Sequence, residues 1–319
     1  MLKQHAAPNT LADAIRYFAD ADTSLAFVVQ LRWPSGVSCP RCETADPMYL
    51  KSRRIFRCKG CRKDFSVKVG TIFEDSPLGL DKWLPALWLL ANAKNGISSY
   101  ELGRALGVTQ KTAWFMLSRI RLGMQAKTFA KMSGTVEADE TYIGGLSRNM
   151  HKSKRARLTG TGMAAKVAVM GLLERKRGQK HSTVRADVVP STKRTELIPR
   201  IEANVAPESS VYTDMHRSYR SLPEKGYTHA AIDHAVRYVD GQVHTNGLEN
   251  FWSLLKRSIK GTYVVDPFHL FRYVDEQAYR FNNREENYLG RFVGVLKDII
   301  GKRLTYAELI SADMQPART

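Results

Sequence analysis

Two stretches in the first 125 residues carry apolar side chains at helical spacing. Between residues 9 and 33, and again between 78 and 125, apolar positions recur every three or four residues, which predicts helices with one buried face. Residues 34–75 lie between these stretches, lack this period and are rich in turn-forming residues. We therefore expect a small module with short strands there.

From about residue 133 the pattern changes to short apolar runs alternating with helical stretches, which indicates a mixed α/β domain. Strands are predicted at 135–139, 166–173, 184–189, 210–214 and 229–233. Helices are predicted at 192–205, 245–259, 266–285 and 302–312. The expected organisation is an N-terminal helical segment (1–33), a cysteine-containing module (34–75), a helical segment (78–128), an α/β domain (133–288) and a C-terminal helical tail (289–319).

The charge balance points to a polyanionic partner. Lysine and arginine number 49 against 31 aspartates and glutamates, for a net charge of +18. Such an excess is typical of nucleic-acid-binding proteins, although a basic protein without this role has the same composition. No apolar run approaches the ~20 residues of a membrane span, and the N-terminus lacks the apolar core of a secretion signal. We therefore expect a cytoplasmic protein with no membrane partner.

The four cysteines form two Cys-x2-Cys pairs, Cys39 with Cys42 and Cys58 with Cys61, with fifteen residues between the pairs. Two tight turns of this kind can present four thiolates in a tetrahedron, which is the geometry of a structural zinc site. Two disulfides are the alternative, and a cytosolic location disfavours them. We interpret residues 34–75 as a zinc ribbon that binds structural Zn²⁺.

Residues 97–117 have the pattern of a helix-turn-helix. One helix is predicted to end at Leu106, Gly107 makes the turn, and Thr109 caps the next helix. The expected DNA contacts lie on this second helix: Gln110, Lys111 and Thr112 at its start, where base edges are read, and Arg119 and Arg121 further on for phosphates. An ordinary helical hairpin without DNA contacts has the same pattern.

Three acidic residues are candidates for a metal-dependent phosphodiester site. Asp139 and Asp214 each end a predicted strand, and Glu249 lies near the start of the helix predicted at 245–259. Two divalent cations held ~3.5–4 Å apart need several carboxylates that converge on one point. Acids at the ends of two strands, joined by one from a later helix, match a ribonuclease-H-like active site.

Each of these acids also has another interpretation. Glu249 could belong to a capping box with Asn246 as the cap, and Asp139 could be a turn former at its strand end, as could Asp214. Glu137 and Glu140 flank Asp139, so spacing alone leaves the identity of the first acid open. Lys256 follows Glu249 by seven residues, which places both on one helical face.

The ordered motifs CPRC, CKGC, VEADETYIGG, VYTDMHRSY and HTNGLENFWSLLKRSIKGTY resemble the zinc-ribbon DDE transposases of bacterial insertion sequences, the ISXO-like group. The resemblance runs from about residue 15 to 285. It implies a ribonuclease-H-like catalytic domain that depends on Mg²⁺ or Mn²⁺ and acts on terminal inverted repeats. The catalytic residues it implies are Asp139, Asp214, Glu249, Asn246 and Lys256, with Glu249 rather than Asn246 as our choice for the third metal ligand.

The implied activity is DNA cleavage at the element end followed by strand transfer into target DNA. We expect double-stranded DNA as the partner, a homo-oligomer on that DNA, and a place near the bacterial nucleoid. A basic, acid-free stretch from Thr141 to Leu173 is expected to follow a DNA backbone, or else to be a solvated loop. Its basic residues include Arg148, Lys152, Lys154, Arg155 and Arg157. A non-catalytic DNA-binding regulator and a nuclease of the same fold are the alternative functions.

Overall fold

The computed structural model describes residues 7–125, 130–145, 151–156, 166–176, 178, 181–232, 243–263 and 265–311. The helices are α1 (Leu11–Ala19), α2 (Ala21–Arg32), α3 (Leu80–Asn92), α4 (Ser99–Leu106), α5 (Gln110–Gly123), α6 (Lys152–Arg155), α7 (Arg194–Asn204), α8 (Asn246–Gly261), α9 (Leu270–Asn282), α10 (Tyr288–Asp298) and α11 (Tyr306–Ile310). The strands are β1 (Met48–Leu50), β2 (Ile55–Arg57), β3 (Asp64–Phe65), β4 (Thr135–Ile143), β5 (Val167–Glu174), β6 (Thr183–Val189), β7 (Ser210–Asp214) and β8 (Thr228–Ile232). No helix in these ranges is long and apolar enough to cross a membrane.

The chain divides into two compact units. The first contains α1–α5 and β1–β3, and the chain returns to it at Asn283 with α10 and α11. The second contains β4–β8 and α6–α9.

Aromatic side chains join the C-terminal helix α10 to the N-terminal helices of the first unit. Phe292 is fully buried and lies 5.5 Å from Phe18 and 5.2 Å from Trp88, measured between ring centroids. Gly123 at the end of α5 allows a similarly close approach, because a Cβ there would lie 2.6 Å from Ile299 Cγ2. The first unit therefore has a core built from both ends of the chain.

The second unit is built on a five-stranded sheet in the order β6-β5-β4-β7-β8. Strands β4, β5 and β6 pair antiparallel, whereas β4, β7 and β8 run parallel. One buried cluster combines residues of the sheet with Leu197, Ile198 and Ile201 of α7. A second cluster combines sheet residues with side chains of α8 and α9. The mixed α/β fold predicted from the sequence is confirmed.

Strand β4 is four residues longer than predicted, and this changes the position of Asp139. The sequence predicts that the strand ends at Asp139, but pairing with β5 continues to Ile143, opposite Val167. Asp139 therefore lies in the middle of the strand, and the prediction that it ends the strand was wrong. The consecutive acids Asp139 and Glu140 interrupt the apolar run, but the backbone hydrogen bonds of β4 do not depend on side-chain polarity.

Candidate functional site

The four cysteines come together as a single cluster. All of their sulfur atoms lie within 4.8 Å of one another. Cys39 Sγ lies 3.8 Å from Cys61 Sγ, and Cys42 Sγ lies 3.5 Å from Cys58 Sγ. A tetrahedron of sulfurs at ~2.3 Å from zinc has edges of ~3.8 Å, whereas a disulfide needs ~2.05 Å. The four thiols are free, so their geometry fits zinc and not the disulfide alternative.

The turns that carry the cysteines share one backbone feature. The residue after the second cysteine of each pair has a left-handed conformation, with φ of 59° at Glu43 and 58° at Arg62. Gly60 is needed for a different reason, because a Cβ there would lie 2.4 Å from Thr44 Oγ1. Hydrogen bonds with the side chain and backbone of Thr44 lower the pKa of Cys42 to about 6. These contacts favour the thiolate form that binds a metal.

Helices α4 and α5 have the local geometry that the sequence predicts. Gly107 ends α4 in a left-handed conformation with φ of 66°. Thr109 caps α5: its side chain accepts a hydrogen bond of 3.2 Å from the backbone N–H of Thr112 in the first turn of the helix. Gln110 and Lys111 are exposed at this end, and the Lys111 ammonium lies 5.1 Å from the ring centroid of Tyr306.

Arg119 is placed differently from the prediction that it reaches a phosphate. Its side chain is buried, and the guanidinium donates hydrogen bonds of 2.8–2.9 Å to the carbonyls of Ile72, Glu74 and Leu304. Arg121 is buried as well. Arg119 therefore ties α5 to other backbone segments of the first unit, and its donors are used within the fold. Helical spacing does not distinguish an inward-facing arginine from an exposed one.

Asp139 and Asp214 lie side by side on neighbouring parallel strands. The pairing of β4 with β7 sets Thr135 opposite Ser210 and Glu137 opposite Tyr212. Continued two residues further, this register brings Asp139 level with Asp214, and both side chains project from the same face of the sheet. The backbone N–H of His216 donates a 3.0 Å hydrogen bond to Asp214 Oδ1, which holds that carboxylate at the strand end.

Helix α8 lies on this face and completes an acidic depression of about 590 Å³. Glu249 and Lys256 both line it, as their spacing predicts, whereas the exposed Asn246 is outside its lining. The full lining consists of Asp139, Glu140, Thr141, Glu249, Trp252, Ser253, Lys256, Arg257 and Lys260. Of these, the sequence reasoning missed Thr141, Trp252, Ser253, Arg257 and Lys260, although Trp252 and Lys260 continue the helical spacing of Glu249 and Lys256.

Trp252 connects α8 directly to Asp139. Its indole Nε1 donates a 2.9 Å hydrogen bond to Asp139 Oδ2. The six-membered part of the ring lies over Gly171, the residue paired with Asp139 on β5, and a Cβ at Gly171 would lie 2.6 Å from it. The sequence places Trp252 in an apolar stripe, which is correct for its ring but does not predict the role of its N–H group.

The carboxylates of this site repel one another, although Lys256, Arg257 and Lys260 line the same depression. Burial, together with the charges of Asp214 and Glu249, raises the pKa of Asp139 to about 6 despite the hydrogen bond from Trp252. A divalent cation would relieve this repulsion, and carboxylate oxygens are the ligands that Mg²⁺ and Mn²⁺ prefer. Among the described residues only the cysteine cluster meets the 4.8 Å ligand spacing, so the three acids are farther apart than the ligands of a closed metal site.

Glu140 occupies a separate environment from Asp139. Glu140 belongs to the lining of the depression, but along β4 it alternates with Asp139, so its side chain projects from the opposite face of the sheet. Burial, with the charges of Asp139 and Asp214, raises the pKa of Glu140 to about 9. Its Oε1 atom is buried without a hydrogen-bond partner among the described residues. The raised pKa favours the protonated form of this side chain.

Glu137 is committed to a structural network. Its Oε1 accepts a 2.8 Å hydrogen bond from Arg175 Nε, and its Oε2 accepts one of 3.0 Å from the backbone N–H of Leu248. Arg175 also donates to the carbonyl oxygen of His244 at 2.6 Å. The network joins β4 to the beginning of α8, and it keeps Glu137 out of the lining of the depression, to which Asp139 contributes.

The capping-box alternative for Asn246 and Glu249 was wrong. Thr245, not Asn246, is the residue before the first turn of α8, and it makes no side-chain capping bond. The Glu137 carboxylate instead accepts from the Leu248 N–H in that first turn. A negative charge at the start of a helix is stabilised by the helix dipole.

The basic stretch after β4 is described in part. Lys152 and Arg155 are exposed at the two ends of α6. Arg148, Arg157 and the Lys154 side chain lie outside the described residues.

Comparison with known proteins identifies the family. The ISXO2-like transposase domain matches residues 131–282, and the transposase zinc-ribbon domain matches residues 20–64. A Halobacterium salinarum relative, described as an uncharacterized protein in transposable element ISH50, is 32% identical over 259 residues, covering 76% of this chain and 84% of the relative. An uncharacterized transposase-like protein of Haemophilus influenzae is 33% identical over 113 residues, covering 35% of this chain and 89% of that protein. The chain therefore belongs to the ISXO-like transposase family, with a zinc-ribbon segment ahead of its transposase domain.

Proposed function

We propose that this protein is an active DNA transposase that cleaves DNA at the terminal inverted repeats of its element and transfers the freed strand to target DNA. The observation that carries the proposal is that Asp139 and Asp214 lie level on adjacent parallel strands, while Glu249 of the covering helix lines the same depression as Asp139. The charges of Asp214 and Glu249 both act on Asp139, as expected for acids that share one cation site. We regard this second unit as ribonuclease-H-like.

Asp139, Asp214 and Glu249 would hold Mg²⁺ or Mn²⁺. When bound, two such ions activate the attacking oxygen and stabilise the leaving oxygen of the phosphodiester. Glu249 is preferred to Asn246 because it lines the same depression as Asp139 and carries a charge. Lys256, two helical turns after Glu249, would bind a phosphate oxygen of the DNA and orient the strand for cleavage.

The first unit would supply DNA recognition. We propose that α4 and α5 act as a helix-turn-helix, with the exposed Gln110 and Lys111 at the start of α5 directed to base edges, beside Thr112. The zinc ribbon would be held by Zn²⁺ at its four cysteines. In the second unit, Lys152 and Arg155 would follow the DNA backbone, together with Arg148 and Lys154. Cutting two element ends requires at least two active sites, so we propose a homo-oligomer on DNA.

Cleavage of the element's end DNA in Mg²⁺, by the wild type and by Asp214→Asn, tests the proposal. Asp214→Asn keeps the size of the side chain and removes the charge that a cation needs. Cleavage by the wild type alone, with equal DNA binding by both proteins, is the expected result. Binding without cleavage by either protein, in Mg²⁺ and in Mn²⁺, would instead indicate a DNA-binding regulator.

Strand transfer is tested separately with an end DNA that has already been cut. Joining of this DNA to a target plasmid by the wild type, and not by Asp214→Asn, is expected of a transposase. Cleavage of intact ends without any joining of precut ends would indicate a nuclease of the same fold.

A further inference from the structure

A second depression lies beside the acidic one, and apolar surface, to which several aliphatic side chains contribute, forms most of its lining. This aliphatic groove has a volume of about 590 Å³ and is bordered by the end of β4, the start of β5, the last turns of α8 and the start of α9. Ile259, Val265 and Leu270 contribute to its lining, and all three pack on the hydrophobic cluster of this side of the sheet. No described residue of the lining is acidic.

Lysines connect the groove to the acidic depression. Lys256 and Lys260, one turn apart on α8, line both depressions, and Lys166 at the start of β5 adds a third lysine to the groove. Within the described part of the chain, no acid forms an ion pair with any of the three. The groove therefore combines an apolar lining with positive charge on the side that faces the carboxylates.

This combination fits an amphipathic anion with a flat apolar part. A nucleotide of a DNA strand has this character, because its base offers an apolar face and its phosphate offers a negative charge. The volume is within the ~300–1,000 Å³ range of small-ligand sites. Extruding a base from the duplex costs unstacking and unpairing free energy, and contacts with an apolar pocket offset this cost.

We propose that the aliphatic groove receives one unstacked nucleobase of the DNA strand, next to the phosphate at the acidic depression. Lys256 and Lys260 bind the phosphate between the two sites, while the base packs against Ile259, Val265 and Leu270. The inference rests on the proposed function, since it assumes that the acidic depression binds a DNA phosphate. It adds a distinct binding site and the class of ligand that the site takes.

The experiment uses full-length protein and element-end DNA with 2-aminopurine placed, one position at a time, on either side of the cleavage site. 2-Aminopurine is quenched while it is stacked in a duplex and brightens when it is unstacked. Tyr142 also lines the groove, but its hydroxyl is hydrogen-bonded to Thr192 at 3.1 Å and its ring packs against the other core cluster, so the proposed base contacts are the aliphatic ones. A several-fold rise in fluorescence at one position is expected when the wild type binds.

Two variants with matched controls assign that signal to the groove. Pro267→Glu puts a negative charge at the groove from an exposed position at the start of a 3-10 turn, and Pro223→Glu makes the same change at an equivalent turn outside it. Ile259→Ser removes an aliphatic contact from α8, and Leu254→Ser is its control, because it is equally half-buried but lies outside the groove. The pair of exposed prolines keeps the test valid if the α8 variants unfold.

Loss of the fluorescence rise in Pro267→Glu and Ile259→Ser, but not in their controls, supports the proposal. Wild-type binding and cleavage with no fluorescence rise at any position would overturn the groove as a base site and leave the proposed function standing. A fluorescence rise that all four variants preserve would also overturn the groove as a base site and leave the proposed function standing. Failure of the wild type to bind end DNA would overturn both proposals.

Discussion

The indole N–H of Trp252 reaches across 113 residues of sequence to Oδ2 of Asp139, at 2.9 Å. The ring lies over Gly171, which is paired with Asp139 on the neighbouring strand. A bulkier residue at Gly171 would displace the ring, so the strand, the helix and the carboxylate are positioned together. The hydrogen bond holds one carboxylate oxygen in place. It lowers the pKa of Asp139, but the opposite effect of burial is larger, so the net shift is upward.

Trp252→Phe is expected to weaken Mn²⁺ binding at the acidic depression by about tenfold, as loss of an outer partner of a metal ligand commonly does. The phenyl ring keeps the packing but cannot donate to Asp139, so the pKa of Asp139 rises above its present value of about 6. Because a protonated carboxyl binds no cation, the pH midpoint of Mn²⁺ binding moves upward. Titration calorimetry over a series of pH values measures both effects. Trp88→Phe, a buried tryptophan of the first unit, is the control, and an unmoved midpoint in Trp252→Phe would contradict the positioning role.

Glu140→Gln is expected to make the free energy of unfolding less sensitive to pH. Burial raises the Glu140 pKa from 4.5 to about 9, so between these values the folded chain keeps a proton that the unfolded chain releases. Stability is therefore lost as the pH rises through this window, and glutamine removes that loss. Urea unfolding at about pH 5 and about pH 8, without added divalent metal, measures the difference. Equal losses in the wild type and Glu140→Gln would show that Glu140 ionises normally.

Glu137→Gln is expected to destabilise the protein by about 3 kcal/mol or more, since it removes one partner of a buried ion pair and leaves Arg175 uncompensated. Only 1% of the Glu137 side chain and 16% of the Arg175 side chain are exposed. The matched control is Glu224→Gln, which breaks an exposed pair with Arg194 and should change stability by less than about 1 kcal/mol. Similar effects of the two substitutions on urea unfolding would show that the network does not anchor α8.

Arg119→Ala and Lys111→Ala are expected to have opposite consequences although both residues are basic and lie on α5. Arg119→Ala leaves three backbone carbonyls without their donor and should lower stability by about 3 kcal/mol. Lys111→Ala should leave the unfolding midpoint unchanged and weaken binding to end DNA. If Lys111 contacts a phosphate, the slope of log affinity against log salt falls by about one; an unchanged slope with weaker binding points to a base contact. Unchanged affinity for end DNA would exclude both a phosphate contact and a base contact of Lys111.

Cys58→Ser is expected to abolish zinc binding, because the cluster loses one of four ligands that together complete a tetrahedron. Zinc content measured on purified protein should fall from one ion per chain to none. Ser38→Ala, a substitution next to Cys39 that removes no thiol, is the control. Retention of one zinc ion by Cys58→Ser would contradict a four-cysteine site.

The zinc cluster and the α4–α5 turn could be predicted because their geometry is local. Cys-x2-Cys spacing, a glycine that ends a helix and a threonine that caps the next one are determined by a few neighbouring residues. The predicted strands and helices of the second unit depend in the same way on short-range apolar periods. Spacing along one helix also correctly predicted that Glu249 and Lys256 share a face.

Relationships between distant segments needed the tertiary structure. Period-two alternation places Glu137 and Asp139 on the same face of β4, so only the positions of Arg175 and Leu248 distinguish the structural acid from the one at the depression. The burial of Arg119 could not be predicted from the sequence of α5. Its guanidinium is buried because carbonyl groups from distant segments accept its hydrogen bonds. The packing of Phe292 against Phe18 likewise brings together residues from opposite ends of the chain.

The sequence by itself determined the family, the cysteine cluster, most strands and helices along the chain and the candidate acids, because each of these depends on residue type and short spacing. Tertiary structure decided which acid of β4 lines the depression and which one pairs with Arg175, which arginine is internal and which indole holds Asp139. The physical reason is that a hydrogen bond or a desolvated charge depends on atoms within about 3–4 Å. Those atoms come from parts of the chain that local periodicity does not connect.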